Sequence, residues 1–257
     1  MVRGTGRLRH ASEQLAAMLS LERRRHWRQP PARPSDKGYM LRPRPGARIH
    51  LGCGAVHLPG YLNVDLPSRD GGGAPPDLEA DVRELRCRPD CLAEIRLHHV
   101  FEHFDRVEAL ALLLRWHEWL RAGGLLTIET PDFDACASLY LQADARQRAA
   151  ILRHVFGSHE ASWAVHRDGW SGERLRHVLS ELGFEPISAL PGASDEAGML
   201  QNITVQARKP ANGPSRSERL AAARGLLELS MNGRAPSELE LLATWLRRLD
   251  ELLESGP

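Results

Sequence analysis

Four stretches of this 257-residue chain carry side chains or bare main chain suited to chemistry. In "IHLGCGAVHLPGYLNVDL" an apolar run enters Gly52-Cys53-Gly54, and a second apolar run ends in a lone acid, Asp65, eleven residues after Gly54. Glycines have no Cβ, so their main chain can pass close to a ligand. A carboxylate at the tip of the neighbouring strand can accept hydrogen bonds from both hydroxyls of a ribose. In "LEADVREL" a further acid, Asp81, stands where its side chain and the Val82 N–H could meet an adenine. The third stretch, "HHVFEHF", packs His98, His99, Glu102 and His103 together. If it is helical, His99, Glu102 and His103 share one face. An imidazole titrates in the range needed to take a proton from a hydroxyl.

The ligand this implies is a nucleoside without phosphates. A dinucleotide fingerprint needs a third glycine where His57 stands, and a triphosphate loop needs a Gly-Lys-Ser/Thr that is missing here. A fourth stretch, "GSHEASWAVHRDGW" (157–170), is a loop rich in His and Trp. Trp163 and Trp170 are either a clamp for an acceptor ring or anchors holding the loop on the sheet. His159 and His166 are its candidate bases, with His166 favoured. Other histidines, such as His117 and His154, fall in helical patterns and are expected to be packed or solvated.

Cys87 and Cys91 lack a second Cys/His pair at matching spacing, so ordinary thiols are expected there rather than half of a zinc site. The four cysteines show no disulfide framework, no apolar leader core is visible near the start, and no run is long enough to span a membrane. These features point to the cytoplasm.

The elements that must position these groups alternate strand and helix. Strands are expected at 47–51, 61–65, 78–82, 94–98 and 125–129, and two more in "FEPISAL" and "LQNITVQAR". Helices are expected at 106–120, with Asp105 as N-cap, at 134–155 and at 172–182. This reads as an α/β fold with a mainly parallel sheet and helices on both faces, its last two strands antiparallel because their linker is too short for a crossover. Three regions follow: a basic arm at 1–45 with a short helix at 11–27, a core domain at 46–210, and a helical pair at 211–257 whose apolar stripe packs on its own core or on a second copy as a homodimer. Residues 1–48 hold 12 Lys/Arg against 3 Asp/Glu, and the remainder 22 against 30. Five prolines and few aromatics make the arm a disordered leader rather than a nucleic-acid grip.

With these residues in view, the chain resembles the class I S-adenosylmethionine (SAM)-dependent methyltransferases, in particular their type 11-like group, over about residues 47 to 207. The resemblance rests on "HLGCG", "GYLNVDL", "EADVREL", "LHHVFEHF", "LRAGGLLTIETPDF" and "HRDGWSGERLRHVLSELGFEP", in that order. It implies a Rossmann-like sheet of order 3-2-1-4-5-7-6 with strand 7 antiparallel. It also implies SAM as cofactor, held by Leu51, Gly52, Cys53, Gly54, Asp65, Leu66, Asp81, Val82 and His98. Two features depart from the family: His50 stands where a carboxylate is usual, and the segment between Gly54 and Asp65 is too short for a crossover helix.

The expected activity is methyl transfer to a hydroxyl of a sugar, glycan precursor or specialised metabolite, with His103, Glu102, His99 and His166 as catalytic candidates. In the favoured reading His98 or His99 lines the cofactor, and Glu102–His103 form a structural pair or the base. A divalent metal on His99-x-x-Glu102-His103, completed by a later His, is the less favoured reading. A SAM-fold scaffold without catalysis, motivated by His50 and the short crossover, is one alternative. Metal-assisted RNA 2′-O-methylation, motivated by the basic arm, is another, although nucleic acid is not the favoured partner.

Overall fold

The apolar runs form strands almost where their alternation places them. The computed structural model describes residues 39–67, 75–192 and 200–254. The strands are β1 (Tyr39–Met40), β2 (Ala47–Leu51), β3 (Leu62–Asp65), β4 (Leu78–Glu79), β5 (Leu85–Arg86), β6 (Leu92–His98), β7 (Leu120–Pro131), β8 (Ile187–Pro191) and β9 (Asn202–Arg208). The helices are α1 (Arg106–Trp119), α2 (Phe133–Gln142), α3 (Ala145–Phe156), α4 (Gly172–Glu181), α5 (Arg216–Glu228) and α6 (Pro236–Glu254). The helix expected at 11–27 lies outside the described residues.

Seven strands form one sheet in the order β4-β3-β2-β6-β7-β9-β8. All neighbours are parallel except β9, which is antiparallel to both β7 and β8. Numbered by appearance within the sheet, this is the order 3-2-1-4-5-7-6. The class I arrangement is therefore present. A parallel pair, β1 with β5, lies apart from it, and β1 falls in the proline-rich arm.

β2 and β3 are parallel, yet residues 52–61 between them contain only turns. A crossover helix is absent here, as the short segment between Gly54 and Asp65 implied, although parallel strands normally need a longer connection. The expected helix at 134–155 is two helices, because Asp144 leaves helical geometry and caps α3 through a reciprocal bond with Gln147. The 78–82 strand ends at Glu79, and a 3-10 turn at Val82–Glu84 follows.

Register assigns the side chains of the sheet to two unlike faces. Ile49, Leu51, Leu62, Val64, Ile95, Leu97, Leu126, Ile128 and Val205 are buried on one face. Arg48, His50, Asn63, Arg96, Thr127, Glu129 and Thr204 stand on the other. His50 Nδ1 donates to Asn63 Oδ1 (3.2 Å) across this face. The same Asn63 oxygen accepts the Leu58 N–H (2.8 Å), and Asn63 Nδ2 donates to Asp77 Oδ2 (3.1 Å). Asn63 thus ties the short β2–β3 connection to the sheet, the task a crossover helix would otherwise perform.

α1 explains why the chain continues past the sheet. It starts at the expected N-cap, with Asp105 and Glu108 forming a capping box. It is buried almost all round, which marks an internal helix. α5 and α6 cover the side turned away from the sheet: Ala223, Leu227 and Leu249 join the core, with Leu220, Trp245 and Leu252 packed against it. The apolar stripe of the helical pair thus packs on the chain's own core, with Leu249 fully buried and Leu242, Trp245 and Leu252 partly so. Arg248 clamps the start of α1, reaching Asp105 (2.7 Å) and Glu108 (3.1 Å). Among the described residues no helix is long and apolar enough to cross a membrane.

Two outcomes follow. Leu249→Ala, at a fully buried position, should cost about 2–4 kcal/mol in urea unfolding, whereas Leu239→Ala, half-exposed on the same helix, should stay within about 0.5 kcal/mol. Burial, with Arg219 and Lys209 nearby, pushes the His117 imidazole down to about 4. The unfolded chain therefore binds the extra proton first. This stability contribution is complete above the ordinary imidazole value and is lost as pH falls from about 6.5 towards 4. His117→Gln should flatten the fall in thermal midpoint over that window.

Candidate active site

The glycine turn at the end of β2 uses its two glycines differently. Both have left-handed backbone, with φ of +65° at Gly52 and +51° at Gly54. A Cβ on Gly52 would lie 2.0 Å from Val100 Cγ2, so this glycine is required by the turn that follows β6. A Cβ on Gly54 would meet nothing within 4 Å. The open side of the turn is therefore at Gly54. Asp65 leans over it: its Oδ2 accepts the Gly54 N–H (2.5 Å) and its Oδ1 the Leu66 N–H (2.7 Å). The carboxylate thus sits at the carboxyl ends of β2 and β3, beside a stretch of uncovered main chain.

The other candidate cofactor residues contribute in different ways. Leu51 and Cys53 are buried, so only their main chain faces the turn. Burial, together with the nearby Asp65 and Asp77, pushes the Cys53 thiol up to about 12, so it stays protonated. Leu66 is exposed. Asp81 caps the 3-10 turn by accepting the Arg83 N–H, and it also pairs with the Arg83 guanidinium (2.6 Å). Burial alone would raise its pKa, but Arg83 outweighs this and holds it below the usual range. Its carboxylate is already engaged, and the Val82 main chain lies beside it.

The histidine-rich stretch is not an α-helix. Residues Phe101–His103 form a 3-10 turn, and His99 before it has φ +53°. Such a turn still brings positions i and i+3 together. His99 Nδ1 lies 3.2 Å from Glu102 Oε1. His103 points elsewhere: its Nδ1 faces the Val165 carbonyl oxygen (3.2 Å), and its ring meets His166 edge-on with centroids 4.8 Å apart. His166 Nδ1 faces the Val155 carbonyl oxygen (3.1 Å), and its Nε2 is 3.9 Å from Glu102 Oε1. The four candidate catalytic residues therefore lie in one cluster around Glu102.

Glu102 is almost fully buried. Its Oε2 accepts the Thr130 hydroxyl (3.0 Å), and its main-chain oxygen accepts the N–H of Arg167 (2.8 Å). Burial pulls its carboxyl upward, but hydrogen bonding and charge from His99 outweigh this, so it stays below the ordinary range. Burial pulls His99 down, but Glu102 and Glu129 outweigh this and raise it. For His166 burial prevails and lowers it.

Three members of the site escaped sequence reasoning. Glu129, on β7, pairs with His98 Nε2 (2.8 Å) and accepts the Thr204 hydroxyl (2.9 Å). Its signal was an acid inside the apolar run "LLTIETP". Thr130 lies next to it. His154, on α3, brings its ring to 6.1 Å from His99 and donates from Nε2 to Asn202 Oδ1 (3.0 Å). Nothing in its local pattern marks it.

The loop tryptophans divide. Trp170 is buried, stacked at 4.8 Å on Phe101 and covered by the Arg174 guanidinium, so it anchors the loop and cannot clamp a ligand. Trp163 is exposed. His159 bonds its own loop at Phe156 and lies exposed, away from this cluster's hydrogen bonds.

No known family profile matches the chain, and no curated protein matches it. Among solved structures, the chain is similar to class I SAM-dependent methyltransferases. One is the 1,6-didemethyltoxoflavin-N1-methyltransferase of Burkholderia thailandensis, with bound 1,6-didemethyltoxoflavin and S-adenosylhomocysteine (17% identity, TM-score 0.44, 65% of this chain and 72% of that one). Another is human N-acetylserotonin methyltransferase in complex with SAM (15%, 0.43, 64% of this chain and 48% of that one). A third is a SAM-dependent methyltransferase from Archaeoglobus fulgidus (15%, 0.40, 64% and 86%). At these identities and TM-scores the likeness concerns the fold, and the class I assignment of the sheet stands on its own strand order.

The Gly52–Val100 contact can be tested directly. Gly52→Ala should lower stability by about 2 kcal/mol or more through backbone strain plus overlap, whereas Gly54→Ala should cost only about 1–2 kcal/mol of strain. Adding Val100→Ala to Gly52→Ala removes the colliding methyl and should recover part of the loss. Equal effects of the two glycine substitutions in urea unfolding would contradict the contact.

Proposed function

We propose that this chain is a SAM-dependent methyltransferase that acts on a hydroxyl of a sugar, glycan precursor or specialised metabolite. The observation that carries the reading is the Asp65 carboxylate held over the open side of the Gly52–Gly54 turn, one contact away from the Glu102 cluster through Gly52 and Val100. The donor set fits a nucleoside: a carboxylate for ribose hydroxyls, uncovered main chain at Gly54, and the Val82 main chain for a base edge. Asp81 is committed to Arg83, so the base edge falls mainly to main-chain groups.

Bound SAM supplies a methyl group on a positively charged sulfur, open to in-line attack by an oxygen. The residues of the chain position that oxygen and remove its proton. A carbonyl oxygen can only accept, so the bonds to Val165 and Val155 fix the hydrogen of His103 and His166 on Nδ1 and leave each Nε2 bare. These are the atoms in the cluster able to receive a hydroxyl proton. Glu102 fixes His99 through the same kind of bond. His98, held by Glu129, is the ring that would line the cofactor. The narrow choice of acceptor rests on the sequence resemblance described above.

The test has two arms. By calorimetry, Asp65→Ala should weaken SAM binding by about 1–3 kcal/mol, through loss of a charge-assisted hydrogen bond. Incubation with methyl-labelled SAM and fractionated cell extract should label a small molecule or glycan, and His103→Ala should slow that labelling far more than it weakens SAM binding. Wild-type protein that shows no saturable SAM binding would sink the reading.

A further inference from the structure

We infer that Glu102, His103 and His166 form a binding site for one divalent transition-metal ion, most suited to Zn²⁺. One potential ligand atom from each of the three lies within 4.8 Å of the others. No hydrogen bond joins the three side chains to one another. His166 Nδ1 and His103 Nδ1 each face a main-chain carbonyl oxygen, at 3.1 and 3.2 Å, so each must carry the ring hydrogen there. Nε2 of His166 is then a bare lone pair, and it faces the Glu102 carboxylate, another acceptor, at 3.9 Å. The carboxylate takes its own hydrogen bonds from His99 and Thr130, and the His166 lone pair beside it is the kind of donor atom that a bound ion would use.

The surroundings are those of a metal site. Histidines that ligate metals donate their other ring N–H to a carbonyl or carboxylate, which fixes tautomer and ring direction. Both rings do so here. Glu102 is held by the Thr130 hydroxyl on Oε2 (3.0 Å) and faces His99 Nδ1 from Oε1 (3.2 Å). A void of ≈ 10 Å³ borders Glu102, Thr130 and His166. Two imidazoles and one carboxylate give three protein ligands, which leaves room for an exogenous ligand and suits Zn²⁺ among common ions. The neighbouring trio His98, His99 and Glu129 has the same composition but a different state. His98 already bonds Glu129 at 2.8 Å, so that pair is satisfied without an ion.

With an ion bound, the two rings would serve as ligands rather than bases, and the ion would lower the pKa of the hydroxyl in their place. Binding itself does not depend on methyl transfer, so the two readings can fail separately. The experiment is a titration of the full-length, chelator-treated protein with Co²⁺, followed by visible absorption and checked by displacement with Zn²⁺. One equivalent should bind, with the intense bands of a four- or five-coordinate ion. His103→Gln and His166→Gln, each shown to be folded by circular dichroism, should abolish those bands. Thr130→Ala should weaken binding about 10- to 100-fold, and His98→Gln should leave the spectrum unchanged. Absence of stoichiometric Co²⁺ binding by the wild type overturns the proposal, as does binding that survives both ligand variants. A protein that binds SAM but not Co²⁺ would lose this inference and keep the preceding one.

Discussion

The site depends on one close approach. Gly52 has room for a hydrogen where any other residue would drive a carbon into Val100. That contact presses the turn after β2 against the turn after β6, and each turn carries half of the candidate site. On one side stands Asp65 over uncovered main chain. On the other stand the histidines around Glu102. Backbone in the left-handed region at Gly52, Gly54 and His99 is needed to let the two turns meet at the carboxyl edge of the sheet. In His99 the strain falls on a residue with a side chain, a feature that tends to persist where function holds it in place.

The second constraint is the burial of Glu102. A buried carboxylate must be satisfied, and the chain does so from two directions, the Thr130 hydroxyl from β7 on Oε2 and His99 from its own turn on Oε1, while the N–H of Arg167, in the 157–170 loop, bonds the main-chain oxygen of the same residue. The loop is thereby pinned to the turn it serves. Trp170 finishes this attachment by burying its ring on Phe101. The loop therefore has little freedom near His166, although Trp163 is exposed.

Much of the fold was legible in the sequence because its signals are local. Alternating or continuous apolar runs marked the strands, Asp105 marked a helix start, and the short linker before β9 implied its antiparallel setting. The double break at Ala143–Asp144 was missed because the apolar pattern on either side reads continuously, and only the cap reveals the stop. At the site, Asp65 and the glycines were readable from spacing. His99 and Glu102 were paired for a partly wrong reason, since a 3-10 turn and not an α-helix joins them. Glu129, Thr130 and His154 reach the site only through strand pairing and helix packing between distant segments, and no local pattern carries that information.

The all-round burial of α1 has a consequence for how the chain is made. Its inner side can pack as soon as the neighbouring strands exist, but its outer side waits for residues 216–254. During synthesis a largely formed sheet must carry an uncovered row of leucines and tryptophans for about a hundred further residues of elongation. Such a half-covered intermediate invites chaperones and self-association. The ribosome thus delivers late the piece that makes the earlier part safe.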